Sequence, residues 1–535
     1  MADEARVARR MLSYSMHLTI HTLATRMRFC ACIVCIAFAA APPVLAQPVV
    51  WFQPTQPEKF HRTHLIVDPL PGLAQTKVPV QEAYKNSPWD AVERKNIWIR
   101  NSIDAPRPFW RSTLVFTLYA VIFLICLYTV RHYTFTFNRI FGRQRHPYAP
   151  IDNTDWPEIT ILIAAHNEED VIHDVLDALL QVDYPEDRLQ IMPMNDRSTD
   201  RTREIIDKYA QRFPGRIQPF HRVYGVPGKS AALQEAMQFV TTEYILVFDA
   251  DYVPGKYLIK QLVAGLLDPE VGAVMGRVVP LNTSQNLLTR LMEMERSGGY
   301  QVDQQARMNM RLFPQYGGTA GGLRLSAIKS VGGWRLDTLT EDTDITYRLF
   351  MGGWKVVYSN RYECYEEVPE EWPVRVRQIN RWAKGHTEAA LRYGSAMFTN
   401  SHLRLMEKVD GILLLGVYIM SPVLLLGWSL AITLFYLGEQ TMFGLLAILV
   451  VAAYNTIGNY AAFFEIAAAN HLDGATRRSC LLPLTFMGFI VSMITAARAA
   501  SSEFLPHSRK RKIVWDKTKR YRRRDVYQPA STSSP

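Results

Sequence analysis

Four long apolar runs divide this chain and limit what it can fold into: Leu114 to Val130, Gly411 to Leu437, Met442 to about Phe464, and Leu481 to Ala497. Each approaches the roughly 20 residues that an apolar helix needs to cross a bilayer. Phe109 and Trp110 extend the first at its front edge, Pro422 interrupts the second, and the last is short. Between the first two runs, residues 150–400 carry alternating apolar segments and polar motifs in place of continuous hydrophobicity. With 535 residues, 48% of them hydrophobic, the chain has room for one large domain or two ordinary ones beside its membrane segments.

Charge orients these pieces. The formal net charge of +10 is concentrated, with Arg131, Arg139, Arg143 and Arg145 behind the first run and a dense basic stretch from Arg509 to Arg524. Basic clusters beside membrane spans mark the cytoplasmic side and suggest anchoring to anionic headgroups. Three full crossings after residue 410 would export the basic tail, so one of those segments is expected to be interfacial or re-entrant. The basic runs carry no nucleic-acid-binding fold, so no nucleic acid is expected as partner. The apolar stretch 29–41 and the small-residue ending Val44-Leu45-Ala46 look like a signal segment. Three readings of it stay open: removal, an upstream false start, or an uncleaved span. The expected layout is a signal-like or first membrane segment at 1–46, an extracytoplasmic segment at 47–108, a transmembrane helix at 109–131, a cytoplasmic domain at 150–400, a membrane region at 410–498 and a basic tail at 499–535. The six cysteines show neither zinc spacing nor a disulfide framework. Cys126 and Cys480 read as packing residues and Cys364 as a buried thiol.

Residues 150–400 read as an α/β domain. Ile159 to Ile163 is a buried strand followed by a helix from Glu168 to Leu180; Ile191 to Met194 is a second strand ending at Asn195-Asp196; Thr199 to Tyr209 and Lys229 to Phe239 are helical. Tyr244 to Phe248 is a further strand, and it delivers Asp249-Ala250-Asp251 at its carboxyl end, where α/β sheets present ligand-binding groups. Short strand–helix–strand connections imply parallel crossovers in a sheet covered on both faces, a Rossmann-like nucleotide-binding core.

Asp-x-Asp at a strand end offers hard oxygen ligands to Mg²⁺ or Mn²⁺, with a substrate diphosphate completing the shell. For the pair alone, a polar turn capping the next helix fits equally well. Asp342, in Thr340-Glu341-Asp342, opens a helix-like segment and fits either an N-cap or a general base. Gln378-Ile379-Asn380-Arg381-Trp382 provides a planar cation for phosphate oxygens and an indole face for a sugar ring. Gly317 to Gly322 is a glycine-rich stretch that lets backbone approach a ligand, without the Lys-Ser/Thr ending of a phosphate-binding P-loop.

The ordered set resembles the membrane-bound family 2 glycosyltransferases, the group of bacterial cellulose, chitin, hyaluronan and poly-N-acetylglucosamine synthases. The resemblance covers roughly residues 155–400 and also rests on Ala164-Ala165-His166-Asn167-Glu168-Glu169, Asn195 to Asp200 and Gly228 to Leu233. It implies a GT-A nucleotide-sugar-binding domain with flanking transmembrane helices at the bacterial inner membrane. It further implies that His166, Glu168, Asp196 and Lys229 surround uridine diphosphate, with Asp249 toward the nucleotide and Asp251 on Mg²⁺ or Mn²⁺. Asp342 would be the base that deprotonates the acceptor hydroxyl. Glu341, Gln378, Arg381 and Trp382 would bind substrate, the last three at the diphosphate and the terminal acceptor sugar.

His166 stands where relatives have tyrosine, and the segment after Ala497 is too short for the PilZ domain through which cellulose synthases sense cyclic di-GMP. Asp344 after Thr-Glu-Asp is closer to the poly-N-acetylglucosamine and β-glucan synthases than to the cellulose type. The arginine-rich tail is read as meeting lipid headgroups in preference to a cyclic dinucleotide. The expected activity is an inverting, metal-dependent transfer that extends a β-linked glycan, β-glucan foremost, from a UDP-sugar and passes it through the spans. Alternatives are single-sugar transfer to a membrane lipid such as diacylglycerol, and a poly-N-acetylglucosamine or chitin type of synthase.

Overall fold

In the computed structural model the described residues are 109–145, 155–437, 463–504 and 520–521. The segments expected at 1–46 and 47–108, nearly all of the run Met442 to Phe464, and most of the 499–535 tail lie outside the described residues.

The core grows from β1, Ile159–Ala165, whose seven residues are all buried. Ile159, Ile161 and Ile163 face one cluster of apolar side chains and Leu162 and Ala164 face a second. A strand with the period-2 pattern of a sheet and apolar residues on both faces belongs in the middle of a covered sheet. Each such buried isoleucine contributes roughly 1.5–3 kcal/mol. β1 pairs in parallel with β2, Leu189–Asp196, and with β4, Tyr244–Asp249, while β3, Phe220–Arg222, adds in parallel to β2. With β5 (Val253–Pro254), β6 (Val271–Pro280), β7 (Gly321–Arg324) and β8 (Lys355–Glu366) the sheet has eight strands in the order β3-β2-β1-β4-β7-β6-β8-β5.

Parallel crossovers alone do not describe this sheet. β7 runs antiparallel to both β4 and β6, and it is the second half of the glycine-rich stretch. A Cβ on Gly321 would lie 2.6 Å from the Tyr316 ring and one on Gly322 2.9 Å from Leu266 Cδ1, so only glycine lets this strand sit between its neighbours. The glycines therefore serve sheet packing at 321–322 and leave Gly317 to Ala320 as the loop. The helices after β1 and β2 begin late, at Ile172 and Thr202. The intervening residues form a polar bridge: Asn167, left-handed at φ 55°, accepts the Thr199 N–H, and the Glu168 N–H donates to the Thr202 hydroxyl. The helix after Gly228 ends at Ala236. Asp342 is not an N-cap: the helix Glu341–Met351 is preceded by Thr340, and Asp342 lies inside its first turn.

Among the described residues two helices are long and apolar enough to cross a membrane, Phe109–Phe141 and Thr476–Glu503. The last apolar segment is thus not short, because Thr476–Leu481 and Leu482–Glu503 extend it at both ends. The run from Gly411 is broken, with Leu405–Leu415 and Met420–Leu434 meeting at 76°, so among the described residues this segment departs from a straight crossing. At the break the Tyr128 hydroxyl donates to the Leu413 carbonyl, and a Cβ on Gly416 would come within 2.9 Å of that hydroxyl. Leu118, Ile125, Leu424, Leu434 and Phe489 pack the helices of this region together. Cys364 is buried as expected, whereas Cys480 is exposed.

Arg131 corrects the headgroup expectation. Its side chain is buried and pairs with Asp303 at 2.9 Å and Asp410 at 2.8 Å, while Arg307 reaches the same two carboxylates. Arg139 donates to the Gln301 carbonyl. A positive charge behind an apolar run looks the same in sequence whether it meets lipid or a carboxylate. Removing one member of a buried charge cluster costs about 3–5 kcal/mol because the others stay buried. Arg131→Met should therefore lower the thermal unfolding midpoint in detergent markedly, with Arg131→Lys intermediate; an unchanged midpoint for the methionine variant would show the cluster to be dispensable.

Candidate active site

The carboxyl ends of the parallel strands converge because β1 is in register with both partners, Ala165 opposite Asn195 and Ala164 opposite Asp249. Beside them opens a cleft of about 290 Å³ lined, among others, by Glu168, Lys229, Asp249, Asp251, Glu341, Asp342, Gln378, Arg381 and Trp382. Residues far apart in sequence are thus brought to one place. His166 and Asp196 stand behind the wall. The His166 Nδ1 lies 2.7 Å from the Asp196 carbonyl oxygen. The buried Asp196 carboxylate accepts from the Gly228 N–H at 2.9 Å and pairs with Arg197 and Arg222. It holds the turn at Gly228, whose φ of 128° suits only glycine, and so sets where the next helix starts.

Lys229 is the first residue of that helix, and its ammonium ties three segments together. It lies 2.6 Å from Asp249, 3.4 Å from Glu341, and donates to the Gly318 carbonyl at 2.8 Å. Burial works against its charge, but Asp249 and Glu341 outweigh burial and raise its pKa. The Asp249 N–H in turn donates to the Thr319 hydroxyl.

Asp342 is fixed by packing on two sides. A Cβ on Gly318, whose φ is +76°, would fall 3.0 Å from Asp342 Cβ, and a Cβ on Gly385 would fall 2.3 Å from Thr340 Cγ2. The long helix Trp372–Thr399 therefore lies directly on the Thr340-Glu341-Asp342 turn. One Asp342 oxygen accepts the Thr343 N–H at 2.7 Å. Burial, reinforced by Glu341, pushes the Asp342 carboxyl up to about 6, against the Thr343 N–H, Lys229 and Arg381. Behind it, Gln315 donates to the Thr343 hydroxyl, which also lies 3.3 Å from His386 Nε2. Burial lowers His386 to about 4, so this cleft-lining imidazole is neutral at physiological pH.

The helix Trp372–Thr399 also presents Gln378, Arg381 and Trp382. The guanidiniums of Arg296 and Arg375 lie 5.1 and 5.3 Å from the Trp382 ring centroid, and Arg375 also binds Gln378 and Glu295. Among the described residues Arg381 makes no ion pair, so its charge is available at the cleft.

The first acidic pair suits a divalent cation. Asp251 is buried, and burial raises its carboxyl to about 7, with Arg520 opposing and Asp249, Glu168 and Glu366 adding to the rise. Among the described residues no cluster of three or more His, Cys, Asp or Glu encloses a metal by itself. A cationic group already lies at this point: the Arg520 guanidinium binds both Glu168 oxygens at 2.8 Å and Asp251 at 2.6 Å. Arg520 is thus not at a lipid headgroup. Sequence reasoning missed it, together with Arg296, Glu366, Gln315 and His386. Only Arg520 left a signal, as part of a basic run.

A family profile described as "Glycosyltransferase like family 2" matches residues 157–385. The probable glycosyltransferase YdaM of Bacillus subtilis is 32% identical over 296 residues, 54% of this chain and 69% of that protein. Probable glucomannan 4-beta-mannosyltransferase 1 of Arabidopsis thaliana is 25% identical over 61% of this chain and 62% of its own length. The beta-monoglucosyldiacylglycerol synthase of Synechocystis is 33% identical over 44% of this chain and 50% of its own length. A solved mannosyltransferase of Pyrobaculum calidifontis, in complex with GDP-Man and Mn²⁺, aligns over 74% of this chain and 99% of its own with a TM-score of 0.50. At 18% identity this is a likeness of fold, the GT-A type.

A carboxylate that accepts a proton works only when ionised. If Asp342 is the proton acceptor, turnover should fall as pH drops toward its raised carboxyl value of about 6. A pH–rate profile flat down to pH ~4.5, near the ordinary carboxylate range, would remove Asp342 as the titrating group.

Proposed function

The chain belongs to the family 2 glycosyltransferases, hexosyltransferases that use a nucleotide sugar, and on that footing we propose that it is an inverting, metal-dependent enzyme extending a β-linked glycan, foremost a β-glucan, from a UDP-sugar at the inner membrane. The observation that carries this reading is the single cleft in which Asp342 faces Lys229 and Arg381, next to the Asp249-Ala250-Asp251 strand end.

The chemistry follows from the two sides of that cleft. Asp342 takes the proton of the acceptor hydroxyl as its oxygen bonds to the anomeric carbon. The bond from that carbon to the diphosphate breaks with its electron pair leaving on the diphosphate, so an α-linked donor gives a β-linked product. Arg381 meets the charge developing on the diphosphate, and fixed charges of this kind are worth most where water is excluded. Asp251, with Asp249, would hold a divalent cation, Mg²⁺ or Mn²⁺, which supplies Lewis-acid stabilisation of the leaving diphosphate when bound. Glu168 and Lys229 border the nucleotide. His166 and Asp196 act from behind by fixing the Gly228 turn. Gln378 and Trp382 meet the acceptor sugar, and Glu341 orients Lys229.

The acceptor comes from the membrane side. Asp303 and Arg307 line the cleft and pair with Arg131 and Asp410, which belong to the apolar helix region. The apolar helices cross the bilayer and hold the catalytic domain at its cytoplasmic face. A second reading, transfer of one glucose to diacylglycerol, is favoured by the likeness to the Synechocystis enzyme.

Membranes containing the protein, given Mg²⁺ or Mn²⁺ and separately labelled UDP-glucose, UDP-N-acetylglucosamine and GDP-mannose, should yield from UDP-glucose an insoluble product digestible by a β-glucanase. One discrete product extracting into chloroform and methanol replaces the polymer reading with the glycolipid one. Asp342→Asn should lose about 10²–10⁴-fold in kcat with an unchanged unfolding midpoint. Transfer by that variant at the original rate would falsify the mechanism.

A further inference from the structure

The cleft gathers carboxylates from distant parts of the chain, and several of them are balanced by a cation. Asp249 and Glu341 share Lys229. Glu366 pairs with Arg296 at 2.6 Å and accepts from the Tyr252 hydroxyl at 2.8 Å. Glu168 and Asp251 are balanced by a residue from the opposite end of the chain, since Arg520 is 269 positions from Asp251 and 352 from Glu168. Its fork is used fully: Nε and Nη2 bind the two Glu168 oxygens and Nη1 binds Asp251 Oδ2. The next residue adds a tether, as the Tyr521 N–H donates to Glu367 at 2.7 Å. The arginine side chain is 13% exposed, so this is a buried contact and not a passing surface pair.

We propose that Arg520 is the resident cation of the metal position, so that a divalent ion and this guanidinium compete for the Asp251 carboxylate. The inference rests on the reading of Asp251 as a metal ligand. A divalent ion on the Asp251 carboxylate would stand within a few ångströms of the Arg520 guanidinium, and like charges that close repel strongly away from water. A divalent ion concentrates two charges where the guanidinium spreads one, so metal arriving with a diphosphate, whose own oxygens complete its shell, displaces Arg520. Until then the arginine keeps Glu168 and Asp251 from repelling each other. Metal affinity is therefore set by the strength of the arginine contact as well as by the carboxylates.

The test is Mn²⁺ binding to the full-length protein in detergent, read from the electron paramagnetic resonance signal of free Mn²⁺, so it needs no turnover. Arg520→Ala should tighten Kd by about tenfold, within the range usual for coupled binding events. Arg520→Lys, which keeps the charge but loses the fork, should fall between the two. Asp251→Asn tests the underlying reading separately. If it binds Mn²⁺ like the unaltered protein, Asp251 is not a ligand and both ideas fall. If it loses Mn²⁺ while Arg520→Ala leaves Kd unchanged or weakens it, the metal reading stands and the competition is overturned. An unfolding midpoint for Arg520→Gln close to that of the unaltered protein accompanies the comparison, and the same tightening is expected of that variant.

Discussion

Carboxylates crowded into one low-dielectric cleft repel one another, and the architecture around this site is organised to hold them there. Glu168, Asp249, Asp251, Glu341, Asp342 and Glu366 arrive on four segments and converge because the strand ends and the Glu341–Met351 helix point to one place. Lys229 has the central position, since it binds the strand end, the Gly317–Ala320 loop and the turn before Asp342 at once. Its location depends on Gly228, and Gly228 is placed by Asp196. A short chain of polar contacts therefore runs from the sheet to the Glu341-Asp342 turn, and each link is a residue whose alternatives would break geometry as well as charge.

Charge balance also explains why some carboxyls are left raised. Asp342 has Lys229 and Arg381 nearby but no direct ion pair, so burial and Glu341 prevail. In the proposed mechanism a carboxylate held this way is a better proton acceptor than an exposed aspartate, with Arg381 and the acidic strand end assigned to the leaving-group side.

How far the sequence disclosed this is best judged residue by residue. β1, β2 and β4 were legible because runs such as Ile159 to Ile163 permit little besides a buried strand, and the acids at the end of β4 followed from that. The convergence of Asp342, Arg381 and Trp382 on those acids was legible only through family resemblance, since no local pattern reports a contact between separate helices. β7 was missed because glycine has no strand propensity and its pairing with β4 and β6 is nonlocal. Arg131 was misassigned because sequence places a charge along the chain and not the carboxylate facing it. Gly385 gave no signal, although the approach of its helix to Thr340 fixes the height of the Thr340-Asp342 turn.

The first apolar helix carries a consequence of its own. Its 33 residues make a rod of roughly 50 Å, against a hydrocarbon layer of about 30 Å. The exposed aromatic residues Phe116, Tyr119 and Phe123 lie in its first half, whereas His132, Phe135, Thr136 and Ile140 are buried near its end. In the proposed arrangement the leading part sits in lipid and the trailing part is a stalk lying against the catalytic domain, tied to the cleft wall through Arg131 and Asp303. The helix is then a ruler. It fixes the height of the reaction centre above the bilayer, and adding or removing one helical turn would move that height by about 5.4 Å, comparable to the length of one sugar unit.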